Sequence, residues 1–554
     1  MAIPNMPSET CETDAHEIRN IHRIGYANPN GALDDEDVQN ATHREHVMTL
    51  RDAFRLYPKA ILFSVIFSTA IIMEGYDLSL VGSFYGFGPF KNKFGNQPDP
   101  NGGLVISAKW QTSISISGQC GQILGLYISG WISDWIGYKR TMLGALVLMI
   151  ATIFVPFFAQ NIETILVGQF LQGLPWGTFQ TLTISYASDI APVILRPYLT
   201  AYVNLCWVIG QLIAAGLLSG FLSRNDDWAY RIPFAIQWIW PPLIIVGTLF
   251  SPESPWWLVR KGRYNEARTA LLSLTSRNCG IEYDVDEQLA MIKATNEFEI
   301  ATCSGTNYWD CFTGVNLRRT EIACVAYLSQ IFCGSALMGY SIQFYQRAGL
   351  HDKDAFNLNV GQSGMGFVGT CLSWVLMTYF GRRTLYVGGL FILLIILIIV
   401  GGAGFAESSV GISWTIGSLL LVYTFVYDLT IGPVCYSIVA EVPSTRLKIK
   451  TVVLARNSSN IGALVTTSLM PNMLGLHAWN WGAKSGLFWA AFCLILLIWA
   501  YFRLVEPRGR TYGEMDLLFE NGVSARKFSS TDVKQFSADT TTTDDKAIVN
   551  HINH

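Results

Sequence analysis

Charge is what this sequence has least of. Of its 554 residues only 14% are Asp, Glu, Lys or Arg, against about a quarter in an ordinary soluble domain. That deficit excludes a chain whose whole surface faces water. The formal net charge of -3 excludes the basic stripe that a nucleic-acid partner requires. Paired cysteines are lacking too. The 11 cysteines are scattered singly, many in apolar runs (Cys206, Cys333, Cys435), and no C-x-x-C occurs. They read as small buried residues, not as a metal site or a disulfide framework. There is no nucleotide loop, metal cluster or nucleophile constellation, so neither an enzyme nor a cofactor is expected. The acidic first 57 residues, with Asp34-Asp35-Glu36-Asp37, have no apolar core or small-residue cleavage site, so no cleavable signal is expected.

What the chain does have is apolar length. A helix crosses the bilayer core with about 20 residues. Runs of that order lie near 60–85, 108–131, 140–159, 162–187, 198–223, 230–251, 321–346, 356–380, 384–406, 410–440, 446–474 and 484–505. The pattern predicts an all-α integral membrane protein with twelve spans in two groups of six. The expected plan is a cytosolic tail (1–57), a first half (58–251), an intermediate segment with short helices (252–320), a second half (321–505) and a cytosolic tail (506–554). Basic residues set the orientation. Lys139-Arg140, Arg196, Arg382-Arg383, Arg446, Lys448 and the intermediate segment's Arg260, Lys261 and Arg263 share one side. That side is expected to be cytoplasmic, with both termini there, in the plasma membrane. The stretch after Arg510, rich in Ser and Thr, reads as disordered. The sequons at Asn40 and Asn457 are not expected to be glycosylated, one being cytosolic and the other in a span.

Gly130-Trp131-Ile132-Ser133-Asp134-Trp135-Ile136-Gly137-Tyr138-Lys139-Arg140 resembles the signature loop of the major facilitator superfamily. The glycines permit a tight turn, Asp134 can pair with a base or a helix N-terminus, and the two bases keep the loop in the cytosol. The second-half loop keeps Gly381-Arg382-Arg383, but Thr378 stands where the acid would be, so its latch is expected to be differently built. The recurrence supports a duplicated plan. Pro252-Glu253-Ser254-Pro255-Trp256-Trp257-Leu258, Asp189-x6-Arg196, Glu441 with Arg446 and Lys448, and Glu506-Pro507-Arg508-Gly509-Arg510-Thr511 resemble the cytoplasmic motifs of sugar porters. The resemblance implies that these acids and bases form a network biasing two conformations. It is closest to fungal maltose and general α-glucoside permeases and covers residues 60–515. Met73-Glu74-Gly75-Tyr76-Asp77, Gly173-Leu174-Pro175-Trp176-Gly177 and Lys450-Thr451-Val452-Val453-Leu454-Ala455-Arg456-Asn457 carry it. Gly364-Met365-Gly366-Phe367-Val368-Gly369 fits G-x-G-x-x-G, but inside an apolar run it indicates close helix packing.

Ionisable residues inside a span point to function. Glu74 and Asp77, three apart, share a helix face, and two carboxylates so close suit a proton carrier. The resemblance matches Asp77 to the first-span acid of proton-coupled porters, Glu74 to the extra acid of α-glucoside permeases, and Arg456 to their membrane arginine. Gln122 and Gln169 stand where relatives tend to carry a glutamate and an arginine, so coupling is expected to rest on Glu74, Asp77 and Arg456. Alignment to the porter pattern implies substrate contacts from Asn204, Gln211, Gln330, Tyr340, Tyr436, Asn457 and Asn460, with Gln122 and Gln169 added to the lining. The expected function is proton symport of a di- or oligosaccharide, an α-glucoside such as maltose, by a monomer in the lipid bilayer. A carrier of a β-linked disaccharide, a facilitated uniporter and a sugar sensor stay open as alternatives.

Overall fold

Apolar runs long enough to cross a bilayer need internally satisfied backbones, and this chain satisfies them as helices. The computed structural model describes residues 44, 48–98, 103–192, 194–276, 283–303, 308–347, 349–406, 409–443, 447–475, 477–508, 515 and 518–531. Among the described residues, the helical stretches that coincide with the expected spans are α1 (Pro58–Phe84, interrupted at Thr69), α2 (Ala108–Ile136), α3 (Tyr138–Phe157), α4 (Ile162–Ile190), α5 (Arg196–Phe221), α6 (Trp228–Phe250), α7 (Gly314–Phe332, resumed as Ala336–Gly339 and Ser341–Arg347), α8 (Asp352–Tyr379), α9 (Arg382–Ala403), α10 (Val410–Leu429, resumed as Ile431–Glu441), α11 (Lys448–Leu474) and α12 (Ser485–Arg503); a further helix, Val285–Cys303, lies in the intermediate segment. Seven of these, α1, α3, α5, α6, α9, α10 and α12, contain stretches long and apolar enough to span by composition alone. The others carry mid-helix amides and hydroxyls, and these point inward: Gln122, Gln169, Gln172, Gln180 and Gln330 are all buried. Outward faces are apolar, as with Leu243, Val246 and Leu249 of α6 and Ile395, Ile398 and Ile399 of α9.

The chain divides into two units. The first gathers the described residues among Met1–Leu62, Ser188–Arg196 and Pro252–Thr306. Its short helix Tyr264–Leu274 buries Ala267, Ala270, Leu271 and Leu274, an amphipathic spacing. The Ser276 amide donates to Leu56 O at 2.8 Å, and Arg268 grips Asp286 at 2.7 Å. That guanidinium holds the Asp286 carboxyl below the usual carboxylate range.

The second unit holds the described residues among Phe63–Ala187, Pro197–Ser251 and Asn307–His554. Backbone contacts bring its helices together. A Cβ on Gly75 of α1 would lie 2.3 Å from Trp207 O of α5, and one on Gly121 of α2 would lie 2.2 Å from Phe170 O of α4. Helices that close place their mid-span side chains within hydrogen-bonding reach of one another. In the G-x-G-x-x-G stretch, a Cβ on Gly366 would meet Asp428 Oδ2 at 2.6 Å and one on Gly369 would meet Phe425 O at 2.8 Å. Helix packing thus accounts for those two glycines, while Gly364 faces open space.

Two expectations change. α7 begins at Gly314, ahead of the apolar run, because Arg318 and Arg319 lie over the Phe519 ring at 5.3 and 4.6 Å. The expectation of disorder after Arg510 also changes for the described residues Met515 and 518–531, which are packed against the helices. Met515, Leu518, Phe519 and Phe528 are buried, and Arg318 donates to Val523 O at 2.9 Å. Four apolar anchors outweigh a polar composition that dominates only beyond Ser529.

Candidate functional site

Glu74 and Asp77 lie one turn apart on α1, and both are fully buried. A buried carboxylate calls for donors, and glutamines supply them to both oxygens of Asp77 and to one oxygen of Glu74, whose Oε2 is buried without a partner. Gln169 of α4 donates to Asp77 Oδ2 at 3.1 Å and, with its second hydrogen, to Gln172 Oε1 at 3.2 Å. Gln172 donates to Gln237 Oε1 at 3.1 Å, and Gln237 donates to Asp77 Oδ1. Three amides from α4 and the α6 stretch thus close a ring on one carboxylate, all within the first six helices.

Glu74 has a different set. Its Oε1 accepts from Gln122 Nε2 of α2 at 3.3 Å and from Gln180 Nε2 of α4. Gln180 Oε1 in turn accepts from Arg456 Nε of α11 at 3.3 Å. Arg456 lies 5.7 Å over the Tyr327 ring of α7 and so anchors in the second set of six helices. Tyr327 and Tyr436 pack edge to face at 5.7 Å.

The expected coupling residues therefore separate. Arg456 is joined to Glu74 through Gln180, whereas Asp77 is enclosed by amides. Gln122 and Gln169, read in the sequence as lost charged partners, are direct hydrogen-bond donors to the two acids. Gln172, Gln180, Gln237, Tyr327 and Asp428 escaped the sequence reading. The signal available was a glutamine recurring at helical spacing within an apolar run: 169, 172 and 180 in α4. Asp428 is a third buried membrane acid, just before the interruption of α10 at Thr430.

The other expected contacts fall around this centre. Gln330 of α7 donates to Gly432 O at 2.8 Å, where α10 is interrupted. Asn204 Nδ2 and Asn460 Nδ2 are buried without a partner. Gln211 lies two turns beyond Asn204 on α5 and is half-buried. Asn457 donates to Tyr127 Oη of α2 at 3.3 Å. Tyr340 sits elsewhere, at the second interruption of α7. Its hydroxyl meets Ser115 Oγ at 3.1 Å, Ser115 meets the Tyr85 hydroxyl at 3.3 Å, and the two tyrosine rings stack at 6.0 Å. This ties α1 and α2 to α7 at the end where α1 finishes.

At the opposite end of the helices the basic loops are fastened. Gly137 takes a φ of 98° that glycine alone adopts freely, turning α2 into α3. Lys139 Nζ then donates to Leu249 O and Ser251 O at 2.7 and 2.8 Å, covering the last carbonyls of α6. Gly130, Asp134 and Arg140 complete this loop, the last two exposed. In the second-half loop the acid that Thr378 does not provide comes from Glu506. Its carboxylate accepts from the backbone amides of Arg382 and Arg383 at 2.8 and 3.0 Å, capping α9 beside Gly381. Arg382 pairs with Glu441 at 3.1 Å, a partner the sequence had assigned to Arg446 and Lys448. Arg446 and the side chains of Lys448 and Arg196 lie outside the described residues. Within the first unit, Asp189 accepts from Ser254 Oγ at 2.6 Å and meets Arg260 at 3.7 Å, while Glu253 accepts from the Ser254 amide at 3.1 Å.

A family model described as sugar (and other) transporter matches residues 63–519. Maltose permease MAL31 of Saccharomyces cerevisiae is 43% identical over 507 residues, covering 91% of this chain and 82% of that one. Alpha-glucosides permease MPH3 of the same species is 43% identical over 506 residues, covering 90% and 84%. Among solved structures, the proton:xylose symporter XylE bound to 6-bromo-6-deoxy-D-glucose aligns with a TM-score of 0.68 at 18% identity, covering 83% of this chain and 99% of that one. XylE from E. coli in a partially occluded inward-open conformation aligns with a TM-score of 0.65 at 16% identity, covering 82% and 100%. With the fold of the major facilitator superfamily and relatives this similar along nine-tenths of its length, the chain belongs to the sugar (and other) transporter family.

Proposed function

We propose that this protein imports an α-linked di- or oligosaccharide together with a proton, by alternating access about the mid-membrane site. The observation that carries this reading is the chain Glu74–Gln180–Arg456, which runs from α1 through α4 to α11. A proton taken by Glu74 removes the charge that faces Arg456 across one amide. The bridge between the two sets of six helices then weakens, and the halves are free to rock. The curated relatives named as maltose and α-glucoside permeases support the substrate class.

The sugar occupies the space between α5, α7, α10 and α11. Asn204 and Asn460 offer unsatisfied donors there, Asp428 offers an acceptor, and Tyr436 offers a flat apolar face. The bonds lost by hydroxyls leaving water are replaced by these groups. Lys139, Glu506, Arg382 and Glu441 hold the loops of the basic side, which is the cytosolic side in this reading. Both termini and the segment between α6 and α7 then face the cytosol of the plasma membrane, and the unit of transport is one chain.

Radiolabelled maltose uptake and medium alkalinisation, measured in a cell lacking its own transporters, test the proposal. Uptake with alkalinisation that an uncoupler abolishes is expected. Undiminished alkalinisation in a Glu74→Gln, Asp77→Asn double variant overturns the proton assignment. Replacement of relatives' charged residues by Gln122 and Gln169 favours one second reading, facilitated uniport, in which uptake proceeds without proton movement.

A further inference from the structure

Above the Tyr85–Ser115–Tyr340 bridge lies a cavity of about 730 Å³ at the end of the helices opposite the basic loops. Its floor is neutral and polar. Gln111 and Gln343 are 4% and 9% exposed, and Tyr85 is 2% exposed. Asn472 of α11 and Gln97 of the short hairpin Gln97–Pro98/Leu104–Val105 stand on its walls. Gln111 donates through Nε2 to Ile106 O at 2.8 Å, yet its Oε1 is buried and has no partner. A buried amide oxygen without a donor is rare unless a ligand supplies one. Of the cavity's lysines, Lys109 and Lys353 lie at the exposed rim, where water screens them, and Lys91 is half-buried at its edge. An anion site would bury its cation, and this one buries amides and a phenol ring.

We infer that this outer cavity is a second saccharide-binding site, occupied before the sugar reaches the mid-membrane centre. The inference rests on the transport reading above. Amides beside an aromatic ring suit a neutral polyhydroxyl ligand, and the volume is that of an ordinary small-molecule site. The floor is also closure hardware. Tyr85 Oη donates to Gln111 O at 3.3 Å, and Gln343 Nε2 donates to Tyr85 O at 3.3 Å. A hydroxyl that bonds Gln111 therefore acts on the residue that supports the tyrosine bridge. The site raises local sugar occupancy at the closed gate and sets apparent affinity without carrying the translocation step.

The test is uptake of labelled di- and trisaccharide by the full chain and its variants in a transporter-null cell, normalised to surface abundance. Asn472→Leu and Gln111→Met are expected to raise KM about tenfold, the loss of one or two hydrogen bonds to a ligand. The maximal rate of Asn472→Leu stays within about twofold. Lys353→Ala, at the rim, leaves KM unaltered. Unaltered KM in both Asn472→Leu and Gln111→Met overturns the inference. So does competition by inorganic phosphate, which would assign the cavity to an anion. Where Gln111→Met does not reach the surface, Asn472→Leu alone decides. A wild-type chain that takes up no saccharide defeats the transport reading itself, a result distinct from wild-type uptake with unaltered KM in the variants.

Discussion

Glu74 reaches Arg456 through a single amide: Gln180 donates to the Glu74 carboxylate and accepts from Arg456 Nε at 3.3 Å. A glutamine in this place acts as a neutral spacer. It lets an acid and a base sense each other without the direct ion pair whose desolvation is costly to reverse.

Replacing Gln180 by Leu removes both bonds at once and leaves a buried carboxylate and a half-buried guanidinium each short of a partner. Each such bond to a charged group contributes about 1.5–3 kcal/mol. Concentrative uptake is expected to fall about tenfold or more, while exchange of labelled for unlabelled sugar across preloaded vesicles persists. Equal loss of exchange and net uptake would show that Gln180 serves folding only.

A second expectation concerns pH. With the proton as co-substrate, uptake by the wild-type chain declines as the outer medium is made alkaline. The Glu74→Gln, Asp77→Asn variant shows a flat profile over the same range. Initial rates measured between mildly acidic and mildly alkaline buffers check this, and a wild-type profile as flat as the variant's favours uniport.

The amide ring on Asp77 makes a stability prediction. Gln237→Leu leaves Asp77 Oδ1 and Gln172 Nε2 without their ring partners. Buried groups orphaned in this way cost about 1–3 kcal/mol each, so the detergent-solubilised variant unfolds at a lower temperature. Gln237→Glu, which keeps the shape but places an acid beside Asp77, is expected to lower the transition further.

Helix contact predicts a sharp contrast among glycines. Gly75→Ala drives a methyl group into Trp207 O, 2.3 Å away, and Gly210→Ala does the same at Ile72 O, also at 2.3 Å. Overpacking of this kind typically costs about 1–3 kcal/mol, and surface delivery of both variants should drop. Gly216→Ala on the same helix meets nothing within 4 Å and should be delivered normally. Fluorescently tagged variants counted at the plasma membrane provide the measurement.

The carboxy-terminal segment gives the last prediction. Phe519→Ala withdraws the ring beneath Arg318 and Arg319, so it lowers the melting temperature and raises proteolysis after α12. Truncation after Thr531 removes none of these contacts and should leave both unaltered.

The sequence by itself determined the twelve helices, because span length and loop charge are local properties of the chain and the bilayer sets both. It also marked Glu74, Asp77 and Arg456, since a charge in an apolar run announces itself. What it did not disclose was who partners whom. Gln122 and Gln169 read as missing charges, and only the close contact of α1, α2 and α4 turned them into donors. Gln172, Gln180 and Gln237 carry no charge, and beyond the helical spacing of 169, 172 and 180 nothing local set them apart from glutamines elsewhere. Their meeting depends on backbone contact at glycines, a long-range result of packing. The same holds for the α9 cap. Thr378 signalled a lost acid, and Glu506, 128 positions later in the chain, fills the place because the end of α12 and the start of α9 come together only in three dimensions.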